Sequence, residues 1–149
     1  MEALIFIGIQ ATGKSTFYLE HFSKTHIRIN LDMLKTRNKE KILFKACLDM
    51  KQSFVIDNTN PTIEDRQRYI PAIKENKFRT VGYFFQSNIS DSLKRNLTRN
   101  RKEQIVKEGI KATHDKLQIP SLKEGFDELY FVQIGKDNDF IIKEWQNEV

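Results

Sequence analysis

Two rhythms of apolar and polar positions alternate along the chain. Short runs rich in β-branched and aromatic residues occur at "ALIFIGI" (3–9), "HIRIN" (26–30), "SFVIDN" (53–58), "RTVGYFFQ" (79–86) and "ELYFVQI" (128–134). Each has strand length and no helical period. Between them lie stretches with helical spacing, at about 14–24, 38–51, "IEDRQRYIPAIKEN", "SDSLKRNLTRNRK" and 104–117, and "DFIIKEWQNE" (139–148) closes the chain as an amphipathic helix. Pro71 should kink or break its helix, Ser90 or Asp91 should cap the next, and Pro120 marks a loop. Repeated strand–helix alternation predicts an α/β fold: a central, mostly parallel five-stranded sheet covered by helices on both faces.

Composition narrows this picture only a little. The 149 residues suit a single domain, 1–149, with no Gly/Ser linker, repeat or low-complexity tract. A 39% hydrophobic content with 11 phenylalanines supports a packed core. The net charge of +5 favours an anionic partner such as a nucleotide or nucleic acid, and also fits solvated lysines. Cys47 is the sole cysteine, which excludes an internal disulfide; with Ile42, Leu43, Ala46 and Met50 on its helical face it reads as a buried structural thiol. "MEALIFIGIQ" has neither the pattern of a secretory signal nor the length of a membrane span, so a cytoplasmic protein without membrane attachment is expected.

Chemistry enters with "GIQATGKST". Gly8, Gly13, Lys14 and Ser15 satisfy G-x-x-x-x-G-K-[ST], placed between a strand and a helix. In such a loop backbone N–H groups surround phosphates at the positive helix end, so Gly8, Ile9, Gln10, Ala11, Thr12, Gly13, Lys14, Ser15 and Thr16 form the candidate nucleotide site. Lys14 supplies a point charge, and the Ser15 hydroxyl can ligate Mg²⁺. Asp57 ends an apolar strand, where it can hold Ser15 or a metal-bound water; the alternative is a cap on the adjoining turn. Transfer to a hydroxyl also needs a base, and Asp32, just past "HIRIN", is the candidate, with a helix N-cap as its other reading. Arg95 and Arg99 stand at i and i+4 and would form a helical lid over the phosphates, unless that face is merely solvated.

The segments "GIQATGKST", "INLD" (29–32), "VIDNTNP" (55–61) and "LKRNLTRN" (93–100), with the later "EGIKATHDKLQIPSLKEGFDEL", resemble the P-loop polynucleotide 5′-hydroxyl kinase family. The resemblance covers nearly the whole chain and implies a three-layer P-loop kinase fold with a helical lid. It implies ATP as donor with Mg²⁺, and a 5′-OH end of DNA or RNA as acceptor. Asp32 would then be the general base, Lys14, Arg95 and Arg99 would stabilise the transferred group, and Ser15 with Asp57 would serve the metal. Lys35, Arg37, Asn58 and Thr59 would meet the acceptor. The sequence departs from the family pattern in having Leu31 before the base, Lys35 where an arginine is common, and Gln10 in place of a frequent proline. Lysine keeps the charge at 35 but loses the bidentate fork. With no phosphatase or ligase domain in this sequence, a repair role would call for a separate partner. A small-molecule or nucleoside kinase on the same scaffold is the first rival, and a nucleotide-binding regulatory or toxin-like module the second.

Overall fold

The computed structural model describes residues 1–146. Strand β1 (Glu2–Ile7) is the centre of the fold, and Ala3 to Ile7 are wholly buried. Side chains alternate across a strand, so Ala3, Ile5 and Ile7 join one core while Leu4 and Phe6 join the other. Around it stand β2 (Ile27–Ile29), β3 (Phe54–Ile56), β4 (Arg79–Phe85), β5 (Glu128–Ile134) and β6 (Phe140–Glu144), in the order β2-β3-β1-β4-β5-β6. The first five are mutually parallel, and β6 runs antiparallel to β5.

Helices cover both faces, as a doubly buried parallel sheet requires. On one face α3 (Arg37–Met50) contributes Cys47 and Leu48, and α5 (Ile70–Glu75) contributes Ile70 and Ile73. On the other, α1 (Lys14–His21) inserts Phe17 among the rings of Phe6, Tyr83, Phe85 and Phe140, at centroid distances of 5.8, 5.4, 5.3 and 5.0 Å. No described helix is long and apolar enough to cross a membrane.

The α/β class is as expected, but the sheet has six strands rather than five. Residues expected as a closing helix form β6 instead, and the last of that stretch, 147–148, lie outside the described residues. The cause is a hairpin signal. Gly135 N–H donates to the Asp139 carbonyl at 2.7 Å, Asn138 adopts φ 60°, and the turn returns the chain along the open edge of β5. Helix α6 (Ile89–Leu97) is capped by Asn88, not by Ser90 or Asp91, and stops before Arg99. Pro71 breaks its helix as expected, separating α4 (Ile63–Gln67) from α5. On α3 the inward stripe carries Glu40, Cys47 and Leu48, whereas Ile42 and Met50 are 63% and 60% exposed. Cys47 is buried as expected, but with different neighbours.

Arg66 is the largest fully buried side chain. It grips Glu124 through two parallel bonds of 2.7 and 3.1 Å and donates to the carbonyls of Asn60 and Pro61. This clip fixes the 57–61 loop, which carries candidate site residues, against α4 and the 3₁₀ turn Leu122–Glu124. Removing one partner strands a buried charge. Glu124→Ala should therefore lower stability in urea unfolding by about 3–5 kcal/mol, while Arg66→Met combined with Glu124→Leu should recover much of the loss.

Candidate active site

The site lies at the carboxyl ends of β1, β2 and β3, where an open parallel sheet gathers ligands. Residues 8–13 connect β1 to α1. Gly13 caps α1 in the left-handed region at φ 93°, and a Cβ there would come within 2.9 Å of the Phe140 ring. Gly8 has Phe85 Cβ only 3.0 Å from where its own Cβ would be. The loop hangs from its neighbours: Gly8 N–H donates to the Thr59 carbonyl at 2.9 Å and Ile9 N–H to Ser87 Oγ at 3.1 Å. Gln10 Nε2 reaches Thr113 Oγ1 of α7 (Lys107–Lys116) at 3.0 Å.

Lys14 folds its ammonium back into this loop. Nζ donates to the carbonyls of Gly8 and Ile9 at 2.9 and 2.6 Å and to Thr12 Oγ1 at 3.3 Å. Burial lowers its pKa from 10.5 to about 8; Asp57 and Asp32 oppose the shift, and Arg99 adds to it. A poorly solvated cation among peptide dipoles is suited to accept an anion.

Ser15 Oγ donates to Asp57 Oδ2 at 3.3 Å. Arg28, on β2, bonds both: Nε to Asp57 Oδ2 at 2.7 Å and Nη2 to Ser15 Oγ at 2.8 Å. The carboxylate and hydroxyl are hard oxygen donors side by side, so this pair could hold Mg²⁺ if the Arg28 guanidinium, which now bonds to both, moved aside. Sequence reasoning missed Arg28. Its signal was a lone cation inside a strand-like run.

Asp32 sits exposed in the first turn of α2 (Leu31–Leu34). It is not the N-cap. Asn30 is, accepting from Met33 N–H at 2.9 Å while its Nδ2 donates to the Asp57 carbonyl at 2.6 Å. Leu31 N–H also donates to Asn58 Oδ1 at 2.9 Å. These bonds tie Asp32 to the strand end that carries Asp57.

A cavity of 270 Å³ opens between α2 and the 57–61 loop; Asp32, Arg37, Asn58 and Thr59 all line it, as does Gln10 of the phosphate loop. Arg68, Tyr69 and Lys116 line it too, and the sequence reading did not single them out. Lys35 is absent from the lining and ends α2 at φ 75°. Buried Glu40 stiffens the wall, accepting from Arg37 Nη1 at 2.8 Å, Tyr69 Oη at 3.1 Å and Asn58 Nδ2 at 3.0 Å. Burial, with Glu40 beside it, pushes the Tyr69 phenol up to about 12.

Arg95 and Arg99, expected to form a lid from one helical face, do not share such a face, because α6 ends at Leu97. Arg95 Nη1 donates to the Ala11 carbonyl at 3.3 Å. Arg99 lies in the turn after the helix, held by Asn96, whose side chain brackets the Ile105 backbone at 2.6 and 2.9 Å, and by Gln104 Nε2 on the Arg99 carbonyl at 2.9 Å.

A strand, a glycine loop closed on its own lysine, and a helix whose Ser15 meets the carboxylate ending β3 define the P-loop kinase fold. No family model matches the sequence. The chain is 30% identical over 129 residues to a bifunctional polynucleotide phosphatase/kinase of Schizosaccharomyces pombe, covering 84% of this chain and 32% of that protein. It is 28% identical over 144 residues to an L-seryl-tRNA(Sec) kinase of Methanococcus maripaludis, covering 83% of this chain and 55% of that protein. The chain thus spans about a third and about half of these relatives' lengths. Among solved structures, Chaetomium thermophilum Kti12 in complex with ADP-AlF3 superposes with a TM-score of 0.67 at 12% identity, over 91% of this chain and 92% of that one. By its sequence the chain is thus similar to part of a polynucleotide phosphatase/kinase, and by its structure it has the P-loop kinase fold.

The Lys14 shift carries a stability signature. Between pH 8 and 10.5 the unfolded chain holds this proton more tightly than the folded one, so the lysine makes stability rise with pH across that window. Unfolding free energies measured in urea at intervals over it should rise more steeply for the wild type than for Lys14→Met. Parallel curves would place the ammonium in water.

Proposed function

We propose that the protein is a kinase that transfers the γ-phosphoryl group of ATP to the 5′-hydroxyl of a DNA or RNA end. The observation carrying this reading is the shared cavity. Asp32 opens into it beside the phosphate loop, and Arg37, Arg68 and Lys116 outnumber the carboxylates of Asp32 and Asp65 in its lining, a balance suited to an acceptor with phosphates of its own.

In this reading the phosphate loop binds the β- and γ-phosphates through its N–H groups, and Lys14 turns its ammonium from loop carbonyls to phosphate oxygens. Asp32 accepts the proton of the 5′-hydroxyl as that oxygen bonds to the γ-phosphorus. The bond from the γ-phosphorus to the β–γ bridging oxygen breaks, and ADP leaves with its electron pair. Arg95 and Arg99 add positive charge where the transferred group passes. Ser15 and Asp57 would hold Mg²⁺, which neutralises charge between the β- and γ-phosphates when bound. Lys35, exposed and away from the cavity lining, is left for phosphates farther along the acceptor.

The direct test is transfer from γ-labelled ATP to a 5′-OH oligonucleotide, run beside nucleosides and sugars. Label should appear on the oligonucleotide, and Lys14→Ala should abolish it. KM for the oligonucleotide should rise with salt, at a slope of about −0.7 in log affinity per phosphate contact, and Arg68→Ala with Lys116→Ala should flatten that slope. Equal turnover on a lone nucleoside, indifferent to salt, would favour a small-molecule kinase.

A further inference from the structure

We propose that a second groove, adjoining the acceptor cavity, binds the nucleotides next to the reacting 5′ end of a single strand. The inference rests on the kinase reading above and specifies its acceptor. The groove has a volume of 510 Å³ and is formed by Arg37, Glu40, Lys41, Phe44, Arg68 and Tyr69. Arg37, Arg68 and Tyr69 line both spaces, so the groove adjoins the cavity.

Its chemistry is that of a stacking platform edged with cations. Phe44 is half-buried, set edge-on to Tyr69 at 5.5 Å and 82° and to Phe54 at 5.6 Å and 83°. Its ring is therefore held at a fixed angle in the groove. Glu40 is the one acidic group there, 2% exposed and turned inward onto Arg37, Tyr69 and Asn58. Lys41 and Arg68 are exposed, and among the described residues neither makes an ion pair. An aromatic surface flanked by unpaired cations suits a base with its phosphates, because every base has a face to stack and every linkage a charge. Charge complementarity and the residues shared with the cavity together favour a nucleic acid strand as occupant. Arg37, braced by Glu40, would sit at the junction.

The test measures acceptor length. KM for 5′-OH acceptors should fall at least about fivefold from a nucleoside 3′-monophosphate to a trinucleotide, and an abasic third residue should remove most of that gain. Phe44→Ala should raise KM for the trinucleotide by a similar factor, leaving KM for the monophosphate and kcat unchanged. Since Phe44 also packs on Phe54, the exposed-rim variant Lys41→Glu is measured alongside and should weaken the trinucleotide alone. Binding of a fluorescein-labelled trinucleotide, read by anisotropy without ATP, should follow the same order. Length-independent KM, or trinucleotide binding indifferent to both variants, would overturn the groove assignment. So would self-association of the chain that Phe44→Ala abolishes, which would put a second copy there. Groove-dependent binding with no phosphate transferred to any 5′-OH would uphold the groove and defeat the kinase reading.

Discussion

Lys14 holds its ammonium inside a ring of its own loop's oxygens, and the surrounding architecture serves to keep it there. Because β1 is buried on both faces, its chain can leave the sheet only at the carboxyl edge. The loop must then turn at once into α1, which glycine at 13 permits and the Phe140 ring behind it demands. Hydrogen bonds from Gly8 to Thr59 and from Ile9 to Ser87 fasten the loop to segments beyond the ends of β3 and β4. The result is a set of fixed dipoles around a cation short of solvent, whose lowered pKa expresses that shortage. A cation already short of water gives up little hydration when it turns from these carbonyls to an arriving anion.

The rest of the site extends the same economy of charge. Arg28 rests on the two oxygens suited to a metal, with its guanidinium near the Tyr18 ring at 6.0 Å, so the carboxylate of Asp57 is matched by a cation from its own chain. Glu40 plays the complementary part beside the cavity, a buried carboxylate bracing Arg37, Tyr69 and Asn58. Asn30 joins the two halves, since its side chain both starts the helix of Asp32 and holds the strand end of Asp57. The end of β3 and the start of α2 are thus coupled through one amide.

Much of this was legible in the sequence because its causes are local. A doubly buried strand running into glycines and a lysine dictates the phosphate loop, and apolar runs ending in aspartate dictate where Asp32 and Asp57 stand. The features that escaped depend on distant partners. The closing hairpin read as a helix because Phe140, Ile141, Ile142 and Trp145 fit a helical stripe, whereas their partners lie on β5 and at Phe84. Arg28, Arg68 and Lys116 come from separate elements, and only the folded chain brings each to the site. Arg99 was placed on a helix by spacing alone; Asn96, reaching across to Ile105, holds the chain in a turn once α6 has ended at Leu97. Only the motif points to Lys35, which ends α2 at φ 75° and lies outside the cavity lining.

The proposed chemistry requires Asp32 to act on the acceptor and not on the donor. Asp32→Asn, which keeps the shape and removes the basicity, separates the two when ATP affinity is measured by titration calorimetry and transfer by single-turnover quench. The predicted result is ATP affinity within about twofold of wild type, with transfer slowed on the order of 10²–10⁴-fold. Transfer at the wild-type rate, or a loss of ATP affinity that accounts for the whole effect, would contradict that role.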